Sequence, residues 1–264
     1  MTHKHLFDYL MDQLSKGELI FSKASSMEAL EISDAGIRNS IKRQVAAKQI
    51  LPLMKKYYLI IPPEYKKLQS VPPELFIDDL MKSLELPYYV GLLSAASFYG
   101  ATHQATQVFQ IVVQARLKPI ILGRTRVQFY FNKRLSHVPI QPLKTDRGPL
   151  DVSTPEATAF DLVRYMHQSG HLNHVATVLN ELAENLTPSL LKKTAKQFPL
   201  VYAQRLGYLL EYLGHQNLAE TLASYIKENK PSLFSFLRTD RMGENSKKDY
   251  KWYLIINESI EPDL

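Results

Sequence analysis

Apolar residues near the start of the chain recur at helical spacing. Leu6, Leu10 and Leu14 follow one another every four residues, which predicts a first helix with one buried face. A short extended segment, ELIFS, comes next, and Ser25 or Ser26 can cap a second helix, SMEALEI, because a serine side chain accepts hydrogen bonds from free backbone N–H groups. The pattern therefore predicts two helices separated by a short extended segment.

A third helix is predicted directly after the turn SDAG. Ile37, Ile41 and Val45 recur every four residues along it and predict a buried stripe. The opposite face carries Arg38, Asn39, Lys42 and Arg43. This helix is therefore amphipathic, with a positively charged outer side.

Two β-rich segments follow the third helix. ILPLM and YYLIIPP flank a pair of lysines, Lys55 and Lys56, and the two prolines end the second segment because proline cannot continue a ladder of backbone hydrogen bonds. Helix, helix, turn, helix and hairpin is the element order of a winged helix-turn-helix. In that motif the third helix enters the major groove, where arginine and asparagine hydrogen-bond to base edges. We predict such a DNA-binding domain at residues 1–66.

The distribution of charge favours the same function. The chain has 32 Lys and Arg residues against 26 Asp and Glu residues, a net charge of +6. Eight of these basic residues and one acid lie between Gly36 and Lys67, so the excess of positive charge is confined to the third helix, the hairpin and their edge. A basic face of this kind is typical of nucleic-acid binding. The alternative is a solvated basic helix beside an unrelated hairpin.

The rest of the chain is predicted to form a linker and a larger second domain. Five prolines between Pro62 and Pro87 indicate a linker at residues 67–87 with one short helix, ELFIDDLMKSL. Residues 88–264 begin with a helix rich in small residues in YYVGLLSAASFYG, followed by strands in QVFQIVV, PIIL and RVQFYF.

The later part of the second domain is predicted to be helical. In VSTPEATAFDLVRYM, Thr154 is the predicted N-cap and Pro155 the first helical residue, and helices continue to about Lys227. One more strand is predicted in KWYLIINES. The fold class is therefore α+β: a winged helix-turn-helix domain, then a mixed α/β domain with a small sheet and a helical C-terminal half.

Length and composition exclude several classes of protein. A chain of 264 residues with 45% hydrophobic content can form two domains with cores, and the lack of cysteine excludes disulfides, thiolate metal sites and cysteine nucleophiles. No apolar segment approaches the roughly 20 residues that span a bilayer, and the N-terminus lacks the pattern of a secretory signal. We therefore expect a cytoplasmic protein that does not bind a membrane.

A histidine cluster has the spacing of a metal site. His167, His171 and His174 follow one another at intervals of four and three residues. However, Gly170 interrupts the helix that would hold the imidazoles on one face, and no nearby acid completes the ligand set. The preferred interpretation is an interhelical loop, and we predict no metal and no cofactor.

A cluster of acids near the C-terminus could belong to a nuclease. The residues are Asp240, Glu244, Asp249 and Lys251. A nuclease needs acids that converge on a metal ion, whereas this segment contains glycine and serine and is typical of a solvated turn. The sequence also lacks a phosphate-binding GxxxxGK loop and a GxSxG elbow. We therefore predict no catalytic residues.

A second basic surface is a further possibility in the C-terminal half. Its candidate residues are Lys192, Lys193 and Lys196 together with Arg205, or with Arg238 and Arg241 from later in the chain. Such a surface could bind an acidic partner or RNA. The alternative is a helix face whose lysines only keep the protein soluble.

Several segments together resemble one protein family. They are the N-terminal winged-helix pattern, IPPEY at the end of the hairpin, LPYYVGLLSAASFYGATHQ, and VSTPEATAFDLVRY. From about Leu6 to Gly214 the chain is similar to AbiEi-type proteins, the antitoxins of bacterial type IV toxin–antitoxin systems.

The resemblance implies a function for each domain. AbiEi-type proteins bind repeats in the promoter of their own operon through the winged helix and repress it. Their C-terminal domain counters a toxin that resembles a nucleotidyltransferase, without a stable complex between the two proteins. The positions that carry over to this chain are Arg38, Asn39, Lys42, Arg43, Lys55 and Lys56. The hairpin departs from the family because its tip lacks glycine and arginine.

We therefore expect a non-enzymatic antitoxin that binds double-stranded DNA and represses its own operon. One alternative is a winged-helix regulator whose second domain senses a small molecule, and a toxin-like neighbouring gene would distinguish the two. The other alternative is a nuclease that uses the late acids, for which Asp249→Ala would abolish activity.

Overall fold

The computed structural model describes residues 5–54, 56–102, 107–145, 148–238 and 246–262, and its fold is mixed α+β. The chain forms two compact units. The first unit contains Met1–Tyr89, Gln107–Lys133 and Pro142–Asp151. The second unit contains Val90–Thr106, Arg134–Gln141 and Val152–Leu264.

The first unit begins with three helices and a three-stranded antiparallel sheet. In chain order these elements are α1 (Leu6–Ser15), β1 (Ile20–Ser22), α2 (Lys23–Leu30), α3 (Asp34–Ala46), β2 (Ile50–Pro52) and β3 (Tyr57–Ile60). The strand order is β1-β3-β2, with Phe21 opposite Tyr58 and Leu51 opposite Leu59. The three predicted helices and the predicted hairpin are therefore present, and the extended segment before α2 joins the hairpin as a third strand.

The start of α2 differs from the prediction. Ser22, and neither Ser25 nor Ser26, is the N-cap, and its side chain accepts a hydrogen bond from the backbone N–H of Ser25. The side chain of Ser25 accepts in return from the backbone N–H of Ser22, at 3.1 Å. This reciprocal pair satisfies two N–H groups at once, which explains why the helix begins three residues earlier than expected.

Helix α3 packs through a narrower stripe than predicted. Ile37 and Ile41 are buried, but Val45 is 36% exposed, so its predicted burial is wrong. An α-helix turns by about 100° per residue, so each step of four residues rotates the side chain by about 40°. Val45 therefore lies about 80° around the helix from Ile37 and leaves the buried side.

The segment predicted as a linker contains short helices and buried side chains. Pro63–Tyr65 and Pro73–Leu75 are 3-10 helices, and α4 (Ile77–Ser83) is the predicted short helix. Phe76 and Leu80 are buried, and the hydroxyl of Thr125 donates a hydrogen bond to the carbonyl of Val71 at 2.9 Å. The functional division at residues 1–66, 67–87 and 88–264 stays a prediction.

A six-stranded mixed sheet follows α4. Its strands are β4 (Tyr88–Val90), β5 (Phe109–Val113), β6 (Ile120–Leu122), β7 (Thr125–Phe131), β8 (Ile140–Thr145) and β9 (Gly148–Ser153), in the order β6-β7-β5-β4-β9-β8. β5 pairs in parallel with β7, and β4 with β9, whereas β6 and β7 are antiparallel. β5, β6 and β7 were predicted. The prediction that Tyr88–Val90 begins a helix is wrong, because these three bulky residues are all buried in a sheet strand.

The second unit is mainly helical. Its helices are α5 (Leu92–Phe98), α6 (Pro155–Arg164), α7 (His171–Leu182), α8 (Pro188–Ala195), α9 (Leu200–Tyr212) and α10 (Gln216–Asn229). α6 contacts α5, α7, α8 and α9, and eight of its ten residues are buried. As predicted, Thr154 caps it by accepting a hydrogen bond from the backbone N–H of Ala157.

A small sheet lies near the C-terminus. It contains β10 (Ser235–Phe236), β11 (Lys247–Asp249) and β12 (Leu254–Ile256), in the order β10-β12-β11. Trp252 precedes β12, is fully buried, and packs on Gly207 of α9. Among the described residues, no helix is both long enough and apolar enough to cross a membrane.

Candidate nucleic-acid interface

The outer face of α3 carries four exposed polar side chains. Arg38, Asn39, Lys42 and Arg43 are all exposed, as predicted from the helical period. The Nη2 atom of Arg43 donates to the hydroxyl of Ser40 at 3.2 Å, and the Nη2 atom of Arg38 lies 3.0 Å from an oxygen of Asp34. The helical period places the four residues on one side of α3, so their side chains share one solvent-facing surface.

The buried face of α3 fixes the direction of this surface. Ile37 and Ile41 belong to a core that also contains Leu10, Phe21 and Ile60. At the start of the helix the hydroxyl of Ser33 accepts a hydrogen bond from the backbone N–H of Gly36 at 3.2 Å. Core packing and the cap together hold the helix in place independently of its polar residues.

Asp34, at the start of α3, interacts with cations of α2, α3 and the hairpin turn. The ammonium of Lys23 hydrogen-bonds to its carboxylate, and this contact is the main cause that holds the pKa of Asp34 below its usual value. The positive charges of Arg38 and Lys56 act in the same direction. Burial raises the pKa of this carboxyl by less than these contacts lower it. The structure therefore brings cations of α2, α3 and the hairpin turn around one acid.

Lys23 was not predicted as part of this surface. Its backbone N–H donates to the carbonyl of Lys56 at 3.0 Å, which joins the first residue of α2 to the hairpin turn. Lys23 lies outside the basic stretch of the sequence, between Gly36 and Lys67, and only the pairing of β1 with β3 brings it close. Lys56 is described and exposed, whereas Lys55 lies outside the described residues.

The candidates for a second basic surface separate in the structure. Lys193 and Lys196 are exposed, and Lys192 forms an ion pair with Glu228 of α10 at 2.6 Å. Arg205 is 8% exposed and donates from Nε to the carbonyl of Phe236 at 2.9 Å. Arg205 therefore does not extend an exposed surface with these lysines, because it faces the interior of the second unit. The role of the lysines stays a prediction.

Two clusters could suggest enzyme chemistry, namely the histidines and the acids near the C-terminus. The rings of His167 and His171 are 4.9 Å apart, centre to centre. Within the described ranges, no group of three or more His, Cys, Asp or Glu side chains is arranged to hold a metal ion. Asp249 accepts a hydrogen bond from the backbone N–H of Trp252 at 3.0 Å, and Lys251 pairs with Glu211. Asp240 and Glu244 lie outside the described residues.

Similarities to known proteins cover both halves of the chain. Residues 89–212 match the family model of the AbiEi antitoxin C-terminal domain. No curated protein matches this sequence. The crystal structure of the RV2827C protein from Mycobacterium tuberculosis is similar with a TM-score of 0.68 and 16% sequence identity, over 94% of this chain and 89% of that chain. At this level of identity the similarity shows a shared fold alone.

Proposed function

Because the chain belongs to the AbiEi antitoxin family through its domain at residues 89–212, we propose that it is the antitoxin of a type IV toxin–antitoxin system and represses its own operon. In this proposal the N-terminal elements form a winged helix-turn-helix that binds double-stranded promoter DNA. The C-terminal domain counters a nucleotidyltransferase-like toxin without a stable complex. The protein acts in the cytoplasm, without enzymatic activity and without a cofactor.

The exposed face of α3 is the observation that carries the DNA-binding part of the proposal. A helix of 13 residues presents two arginines, a lysine and an asparagine to solvent and is anchored by isoleucines on its other face. Arginine forms paired hydrogen bonds with guanine in the major groove, and asparagine does so with adenine. This side-chain set can therefore read both kinds of base pair from one helix.

The hairpin turn supplies the second contact in this proposal. Lys56 in the turn and Lys23 beside it add positive charge next to the start of α3. Lysines at such a position neutralise phosphates and do not read bases, so they contribute affinity without sequence preference. Lys55 belongs to the same proposed wing tip by its place in the sequence.

The first experiment measures the affinity of the full chain for the DNA upstream of its own gene and for a scrambled duplex, across a salt series. We expect a preference of about a thousandfold for the upstream DNA, the low end for specific regulators. Lys56→Ala should weaken both duplexes equally and reduce the salt slope by about 0.9. Lys227→Ala, a change at an exposed lysine of α10, is the matched control and should alter neither quantity.

Equal and steeply salt-dependent binding to both duplexes would contradict the repressor proposal, because it would mean contact with phosphates alone. The antitoxin part is tested separately by growth rescue when the protein is co-expressed with the product of a toxin-like neighbouring gene. The full chain carrying Arg38→Ala and Arg43→Ala should lose repression and retain rescue. Loss of rescue in this folded variant would contradict the proposal that repression and toxin neutralisation belong to different domains.

A further inference from the structure

A small cleft in the second unit is lined by basic side chains from distant parts of the sequence. Arg164 ends α6, His167 lies in the 3-10 helix Met166–Ser169, and His171 is the first residue of α7. Arg205 of α9 and Arg238, which follows β10, complete the basic lining. The other lining residues are Val163, Met166, Gln168 and Leu237. We call this group the arginine cleft; no carboxylate lines it among the described residues.

Arg205 is central to the cleft, because its side chain is largely buried and has no carboxylate partner among the described residues. Its side chain is 8% exposed, its Nε donates to the carbonyl of Phe236, and its guanidinium lies 5.8 Å from the ring centre of Tyr202. In the part of the chain that the structure describes, it has no carboxylate partner and its Nη atoms have no hydrogen-bond acceptor. A buried charge without a partner is costly, and this burial lowers the pKa of Arg205 below its usual value.

Two other arginines, Arg164 and Arg238, line the cleft together with Arg205. Arg238 is paired with Glu258, with its Nη1 atom 2.7 Å and 2.5 Å from the two carboxylate oxygens. The guanidinium of Arg164 lies 5.0 Å from the ring centre of Tyr165. The N-terminus of α7, which begins at His171, is the positive end of a helix of 12 residues. Glu258 therefore compensates Arg238, whereas Arg205 has no carboxylate partner among the described residues.

We propose that the arginine cleft binds a phosphate dianion, either free or as the phosphate group of a small phosphomonoester. A phosphate carries nearly two negative charges at neutral pH and several acceptor oxygens, which match the planar donors of arginine. The missing counter-charge of Arg205 would then be supplied by the ligand. This site lies in the second unit and makes no use of α3, so the inference goes beyond DNA binding and can fail independently of it.

The test is the binding of inorganic phosphate, adenosine 5′-monophosphate and adenosine to the full chain by calorimetry, at constant ionic strength set with chloride. We expect saturable binding of at least one of the two phosphate compounds, with a dissociation constant below about 1 mM, and none of adenosine. Binding of both would indicate that the phosphate group suffices, and binding of the nucleotide alone would indicate a phosphomonoester. Both outcomes support the site.

The location of binding is tested with variants of the cleft. Arg205→Met and Arg164→Gln should each weaken phosphate binding by at least about tenfold, because each removes charge-assisted hydrogen bonds. Lys227→Gln removes an exposed cation of α10 outside the cleft and should bind like the unmodified chain. If Arg205→Met does not fold, Arg164→Gln decides the question. Absence of saturable binding by both phosphate compounds, or equal binding by the cleft variants and the control, would overturn the proposal.

Discussion

Cations in the two compact units are held in different ways. On α3 they are exposed: the side chain of Arg38 is 62% exposed and forms an ion pair with its helical neighbour Asp34. In the arginine cleft, Arg205 is 8% exposed, and the side chain of Arg238 is 18% exposed and paired with Glu258. The positive charge of α3 therefore meets solvent and any approaching polyanion, whereas Arg205 and Arg238 of the cleft are largely buried.

The two regions should therefore respond differently to substitution. Residues on the outer face of α3 contribute little to folding, because exposed ion pairs are weak and the helix is anchored by Ile37 and Ile41. Substitutions there should change binding and leave the fold intact. In the second unit the side chains around α9 are enclosed, so a substitution there affects packing and function together.

The largest expected effect is a loss of stability from Gly207→Ala in α9. A methyl group at this position would overlap the ring of Trp252, which is fully buried and donates from its indole nitrogen to Glu211 at 2.6 Å. Since neither the ring nor the helix backbone can move freely, we expect destabilisation of about 3 kcal/mol. Denaturant unfolding of the full chain measures this change.

The matched control is Gly36→Ala in α3. A methyl group there would lie 3.4 Å from the Ser33 hydroxyl oxygen and 3.8 Å from the Ile32 side chain, which is ordinary contact. Alanine is the better helix former, so this variant should be unchanged or more stable by up to about 1 kcal/mol. Equal changes in the free energy of unfolding for the two variants would show that Gly207 is packed no more tightly than Gly36.

The next largest effect is expected on DNA recognition. Arg38→Ala and Arg43→Ala should each cost about 1 to 3 kcal/mol of binding free energy on the upstream DNA and relax sequence preference, because each side chain can read a base edge. Their unfolding free energies should stay within about 0.5 kcal/mol of the parent chain, as for exposed positions in general. Competition binding with the upstream and scrambled duplexes measures the preference. Equal losses on the two duplexes would remove the base-reading role and leave phosphate contact.

Residues that share one helix face could be predicted from the sequence, whereas residues that meet only through tertiary packing could not. Arg38, Asn39, Lys42 and Arg43 were predicted to share a face because a helical period is a local property of the sequence. Arg164, Arg205 and Arg238 were not predicted to meet, since they come from separate elements that only the packing of the second unit brings together.

The wrong and missing secondary-structure predictions also concern positions that depend on pairing between distant segments. Tyr88–Val90 was assigned to a helix, but its pairing with β9, through Val90 and Val152, places it in a sheet. β8 was missed because most of its residues are exposed and do not alternate in polarity. Lys23 was missed because its proximity to Lys56 depends on the register between β1 and β3. Tertiary pairing decides each of these positions.

The smallest expected effect comes from Asp34→Asn, which removes the acid among the cations of α3. The carboxylate opposes DNA phosphates and binds Lys23 and Arg38, so its loss should tighten binding to both duplexes by about two- to fivefold. The pKa of Asp34 is lowered in the folded chain, so the ionised carboxylate stabilises the fold. This contribution is complete above about pH 4, the usual aspartate pKa, and disappears as the pH falls through the lower pKa of the folded state. The parent chain should therefore exceed the variant in thermal stability at pH 6 and match it in strong acid. A stability difference that does not change with pH would show that the contacts of Asp34 are not electrostatic.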